Sequence, residues 1–85
     1  MDIAIFITNF ASLLEETDVT TLMPATKLRE IEEWSSFTGL SVIAMVDEVY
    51  HVKIKGEDIR QAVTIQDLFE TVQSKIKLTD AGSIF

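Results

Sequence analysis

With 85 residues, 47% of them hydrophobic and 25% charged, the chain has the size and composition of one folded domain rather than a disordered tail. It contains no cysteine, which excludes disulfides, a thiolate nucleophile and a cysteine metal site. Fourteen acidic residues against seven basic give a formal charge of -7, which disfavours nucleic acid and favours partners with basic surfaces.

The first residues carry Asp2 and no basic cluster, so no signal peptide is expected, and no apolar run is long enough for a membrane span. A cytoplasmic monomer is the expectation. In residues 2–16, Ile3, Phe6, Ile7, Phe10, Leu13 and Leu14 recur at three- and four-residue steps, which predicts a first helix. Its far end holds Glu15 and Glu16, the wrong charge for a helix C-terminus, and should fray.

Residues 17–33 hold four threonines and the only proline, Pro24, and read as a long loop. Leu22 and Met23 are expected to tie it down. Thr26 is expected to cap a short helical turn through Leu28 and Ile31, with Glu30, Glu32 and Glu33 outside as a solvated acidic stretch. Trp34 should pack under the loop and fix the approach to the serines that follow.

Residues 36–50 predict the central helix. Phe37, Leu40, Val42, Ile43, Ala44, Met45, Val46, Val49 and Tyr50 cover most of its circumference, a pattern that predicts burial on more than one side, with part of that surface left near solvent in so small a domain as an exposed apolar patch beside acids. Gly39 is costly inside a helix, by about 1 kcal/mol relative to alanine. It serves either the close approach of another group or helix packing. In residues 51–63, Val52 and Ile54 alternate with His51, Lys53 and Lys55 as a short extended segment, Gly56 breaks the pattern, and Glu57, Asp58, Ile59 and Ala62 fit a short helical turn. A lone His51 is a surface residue rather than a metal ligand. Thr64 and Asp67 form a capping box with aspartate in place of Glu or Gln. A last helix follows through Ile65, Leu68, Phe69, Val72 and Ile76, and residues 78–85 read as a loose tail. The expected fold is all-α: a small antiparallel four-helix bundle, three helices long and one short, with a long first loop, over residues 1–77.

Trp34–Tyr50 reads WSSFTGLSVIAMVDEVY: a serine pair, then a long apolar segment closed by Asp47 and Glu48. With four helices in this order and a serine at the start of the second long one, the chain resembles the acyl carrier proteins. The family signature is Asp-Ser-Leu, and the matching residues are Ser35, Ser36 and Phe37. The match extends through Trp34, Leu40, Val42, Ile43, Val46, Asp47, Glu48, Tyr50, Val52, Ile54, Ile59, Thr64, Ile65 and Leu68.

The resemblance implies that Ser36 receives 4'-phosphopantetheine from coenzyme A and that acyl groups ride on its thiol as thioesters. It implies a phosphopantetheinyl transferase and acyl-processing enzymes with basic surfaces as partners, meeting Phe37, Leu40, Ala44, Asp47 and Glu48. The chain would be a non-catalytic substrate of that transferase, since a nucleophilic serine needs an adjacent base and none is near. Ser35 departs from the family aspartate; it still caps a helix well, but modification is expected to be slower or absent. Thr38 and Ser41 are neutral at positions often acidic in fatty-acid carriers, which points to a specialised lipid or polyketide-type pathway. The competing reading keeps the fold and drops the arm: an unmodified acidic helical adaptor. A small enzyme is disfavoured by the lack of a base, a metal set and a phosphate loop.

Overall fold

A computed structural model describes the backbone of residues 2–83 and the side chains as far as Lys77. Four α-helices run in chain order: α1 (Ile3–Ala11), α2 (Ser36–Tyr50), α3 (Gly56–Gln61) and α4 (Ile65–Ser83). Two 3-10 turns, Val19–Thr21 and Leu28–Glu30, punctuate the loop between α1 and α2. No strand occurs among the described residues; an isolated antiparallel bridge joins Lys27 and Thr64.

α1 begins where expected, with the Asp2 carboxylate accepting the Ala4 N–H at 2.9 Å. It ends at Ala11, well short of residue 16. There the chain tightens: Leu13 and Leu14 donate to the carbonyls of Phe10 and Ala11, three residues back, and the Ser12 hydroxyl donates to the Asn9 carbonyl. Phe6, Ile7 and Phe10 form its buried face. Leu14 is buried as well, although it lies beyond the helix.

The long loop is held by α4. The first amides of a helix have no partner inside it. Here Ile65 donates to the Thr26 carbonyl at 3.0 Å and Gln66 to the Pro24 carbonyl at 2.9 Å. Asp67 N–H donates to the Thr64 hydroxyl at 3.1 Å, and the Asp67 carboxylate accepts from the amides of Val63 and Thr64, both at 3.1 Å. The capping box therefore forms with aspartate, and the loop satisfies the two amides that it leaves. Those amide bonds, Thr64 first and then Val63, hold the Asp67 carboxyl below its ordinary range. Leu22, Leu28 and Ile31 anchor the loop in the core, whereas Met23 is exposed. Thr26 does not cap the Leu28–Glu30 turn. Its hydroxyl instead accepts the Met23 N–H at 2.9 Å, closing the turn around Pro24.

α2 is buried on one side only, through Thr38, Gly39, Val42, Met45 and Val46. Its opposite face leaves Phe37 77% and Leu40 65% exposed, so burial is narrower than the apolar pattern predicts, while the exposed apolar patch expected of so small a domain is there. The helix ends at His51, whose φ of 58° and ψ of 33° are left-handed. Left-handed backbone costs a non-glycine residue roughly 1–2 kcal/mol, part of which glycine returns as unfolded-state entropy. His51→Gly should therefore raise stability by ~0.5–1 kcal/mol in chemical denaturation.

Val52 and Ile54 bury alternate side chains along an extended segment, with Lys53 and Lys55 exposed. Gly56 ends this extended segment, as expected, and is itself the first residue of α3, where the Lys55 N–H donates to the Asp58 carboxylate at 2.8 Å. α4 continues through Ser83, past the expected end at 77, so the backbone of residues 78–83 is helical rather than a loose tail. Ile84 and Phe85, the rest of that expected tail, lie outside the described residues. α1 packs on α2 and α4, and α3 packs on α2 and α4. Among the described residues no helix is long and apolar enough to cross a membrane.

Candidate functional site

The first turn of α2 gathers the chemistry. Ser35 is its N-cap, with extended backbone, and its hydroxyl oxygen accepts the Thr38 N–H at 3.3 Å and lies 3.2 Å from Thr38 Oγ1. Ser36 is the first helical residue and is exposed. Among the described residues nothing hydrogen-bonds its hydroxyl. The two serines are thus chemically distinct: one oxygen is engaged in capping, the other is free at the positive end of a 15-residue helix dipole. No acidic side chain lies in that first turn.

Phe37, Leu40, Ala44, Asp47 and Glu48, spaced at helical repeats, are all exposed and share one face beside Ser36. Thr38 is buried, and its hydroxyl donates to the Glu33 carbonyl at 2.6 Å, so it belongs to the support of the turn rather than to the surface. Gly39 faces Ile59 of α3; a Cβ there would meet Ile59 Cγ2 at 3.5 Å, an ordinary contact, so its smallness serves helix packing without being strictly required. Trp34 stacks on Phe10, centroids 6.2 Å apart, half-buried on the approach to the serines. His51 is exposed at the other end of α2, about 22 Å along the axis from Ser36, and supplies no base to it.

The acidic stretch before α2 is not uniformly solvated. The Glu33 carboxylate accepts the backbone amides of Glu15 at 2.8 Å, Glu16 at 3.1 Å and Thr17 at 2.7 Å, and also the Thr17 hydroxyl. One side chain thus closes the segment after α1 onto the approach to α2. Glu30 and Glu32 stay exposed. No spacing rule links Glu33 to residues 15–17, so the sequence carries no signal for this clamp.

The Thr17 hydroxyl above all, opposed by partial desolvation and aided by the three amides, holds the Glu33 carboxyl below its ordinary value of 4.5. A depressed carboxylate pKa contributes stability that is present above the unfolded value and is lost as pH falls through the folded one. The wild type should lose stability progressively below about pH 4.5. Glu33→Gln should flatten part of that slope and lower the melting temperature at neutral pH, whereas Glu32→Gln, at an exposed position, should leave the melting temperature nearly unchanged. Thermal melts between pH 3 and pH 7 check this.

Beside Ser36 a groove of about 470 Å³ runs between α2 and α3. Trp34, Leu40, Ile43 and Ile59 form its apolar part, Ser35 and Ser36 open onto it, and Arg29 and Arg60 stand at it. The arginines lie far apart in sequence and carry no motif, so nothing in the one-dimensional pattern pairs them. Among the described residues no group of three or more metal-ligating side chains comes together. No protein-family model, curated protein or solved structure matches the chain.

Proposed function

We propose that this chain is a carrier protein, with Ser36 the attachment point for a 4'-phosphopantetheine arm and the helices an antiparallel bundle that presents it. The observation that carries the reading is the free, exposed Ser36 hydroxyl at the first position of α2, next to a neighbour whose own oxygen is engaged in capping. A phosphodiester there would lie at the positive end of the helix dipole, with no acid in the same turn to repel it. When attached, the arm supplies a terminal thiol, a function this cysteine-free chain lacks.

The chain's own part is positional. Ser35 and Thr38 set the first turn, Glu33 ties that turn to the loop, and Phe37 and Leu40 offer an apolar contact face. Asp47 and Glu48 extend that face with negative charge suited to the basic surfaces of a transferase and of acyl-processing enzymes in the cytoplasm. A specialised lipid or polyketide-type pathway fits the neutral first turn.

The neutral Ser35 is also the observation that favours a second reading, an acidic helical adaptor that binds partners through the same face and carries no arm. Intact mass after incubation with coenzyme A and a broad-specificity phosphopantetheinyl transferase separates the two. The carrier reading expects a gain of one arm, faster in Ser35→Asp. No gain in either protein, under conditions that load a control carrier, removes it and leaves the adaptor.

A further inference from the structure

We infer that Glu33 is a positioning residue for Ser36: it couples residues 15–17, beyond the end of α1, to the first turn of α2, and so fixes the serine hydroxyl relative to the rest of the fold. The effect on loading rests on the carrier reading; the coupling itself does not.

Two sets of contacts meet at this one residue. Its side chain reaches back 16 residues in sequence to Thr17. The amides of Glu15, Glu16 and Thr17 all donate to its two carboxylate oxygens. Hydrogen bonds to an ionised acceptor are roughly twice as strong as neutral ones, and here they converge on one planar group. The Glu33 backbone carbonyl serves the other side, where it accepts the Thr38 hydroxyl at 2.6 Å.

Thr38 carries the coupling onward. It is the only buried polar or charged residue among the described ones. Its single hydroxyl proton is committed to the Glu33 carbonyl, so at the 3.2 Å contact between the two hydroxyls it is Ser35 that donates. The Ser35 oxygen in turn accepts the Thr38 N–H, and the Ser35 carbonyl accepts the Gly39 N–H at 3.0 Å. Hydrogen bonds therefore run without a break from residues 15–17 through Glu33 and Thr38 to Ser35, the residue before the proposed attachment point. Ser36 makes none of them with its side chain, so its hydroxyl is placed by the backbone that they hold. A serine cap alone would start α2; what the Glu33 clamp adds is a tie between that start and a distant part of the chain.

The test compares the full wild-type chain with Glu33→Gln, Thr38→Val, the double variant and Glu32→Gln, all well below their melting temperatures. Glu33→Gln keeps the side-chain length and loses the charge and one acceptor oxygen. Thr38→Val keeps the shape, loses the donor and leaves the carboxylate clamp in place. Amide exchange in Glu33→Gln should quicken by about tenfold at Glu15, Glu16 and Thr17 and, on the far side of residue 33, at Thr38 and Gly39. Thr38→Val should quicken the same five amides, and the double variant should be no faster than the faster single one, as for residues acting as a unit. With coenzyme A and a broad-specificity phosphopantetheinyl transferase, Glu33→Gln should lower kcat by about tenfold and leave KM within about twofold, because the exposed face from Leu40 to Glu48 is intact while the hydroxyl is misplaced. Faster exchange confined to residues 15–17, with kcat unchanged, overturns the proposal. So do additive effects in the double variant, or an equal loss in Glu32→Gln. A wild type that takes no arm removes the carrier reading, and the exchange rates by themselves then decide the coupling.

Discussion

Ser36→Ala is expected to abolish loading by a phosphopantetheinyl transferase, with no mass gain at any enzyme concentration, while Ser35→Ala still gains one arm. The physical basis is the division of labour at the head of α2. The Ser35 oxygen is committed to the Thr38 amide, and its loss weakens the cap by ~1 kcal/mol. That is small beside the ~4–13 kcal/mol expected of an 85-residue domain, so Ser35→Ala should stay folded and keep its neighbour's hydroxyl in place. Ser36 caps nothing, so Ser36→Ala should leave the melting temperature nearly unchanged. A variant that melts like the wild type and cannot be loaded separates loss of the attachment point from loss of the fold. Loading of Ser36→Ala, or loss of loading in Ser35→Ala with the fold intact, would sink the assignment of the residue.

Phe6→Ala is expected to cost ~3–5 kcal/mol, enough to leave a substantial unfolded fraction at 37 °C. Phe6 is fully buried and joins three elements: it sits on α1, its ring meets Phe69 of α4 edge-on at 5.5 Å, and it meets Tyr50 at the end of α2 at 6.0 Å. A cavity there has walls on three helices that cannot all move inward together, so little of it can collapse. The neighbouring Ile5 is 59% exposed, and Ile5→Ala should fall within about 0.5 kcal/mol of the wild type. Guanidinium unfolding followed by Trp34 fluorescence measures both. A loss for Phe6→Ala no larger than that for Ile5→Ala would mean that the packing around this ring is looser than described.

How much of this was legible beforehand differs by element. The serine-capped central helix, the Thr64–Asp67 capping box and the alternating Val52 and Ile54 could all be read directly, because each depends on residues within a few positions of one another. The expected run of the first helix to residue 16 failed for a related reason. Leu13 and Leu14 keep the apolar spacing, but they are reached through 3-10 geometry, and periodicity alone does not distinguish the two. Thr26 looked like a cap and is a turn-closing acceptor, since a threonine side chain can serve either use. The stretch after residue 77 reads as a loose tail, yet its backbone remains helical to Ser83.

Local chemistry in the sequence determined where α2 starts, which hydroxyl caps it and which is left free, and that the fold is helical. Those outcomes depend on backbone amides and side chains a few residues apart. Tertiary structure alone decided that Glu33 would close on residues 15–17, that the Pro24 loop would satisfy the first amides of α4, and that Arg29 and Arg60 would face one groove. Each of these joins groups far apart in the chain, and such groups acquire a shared environment only when burial of the core brings their helices together.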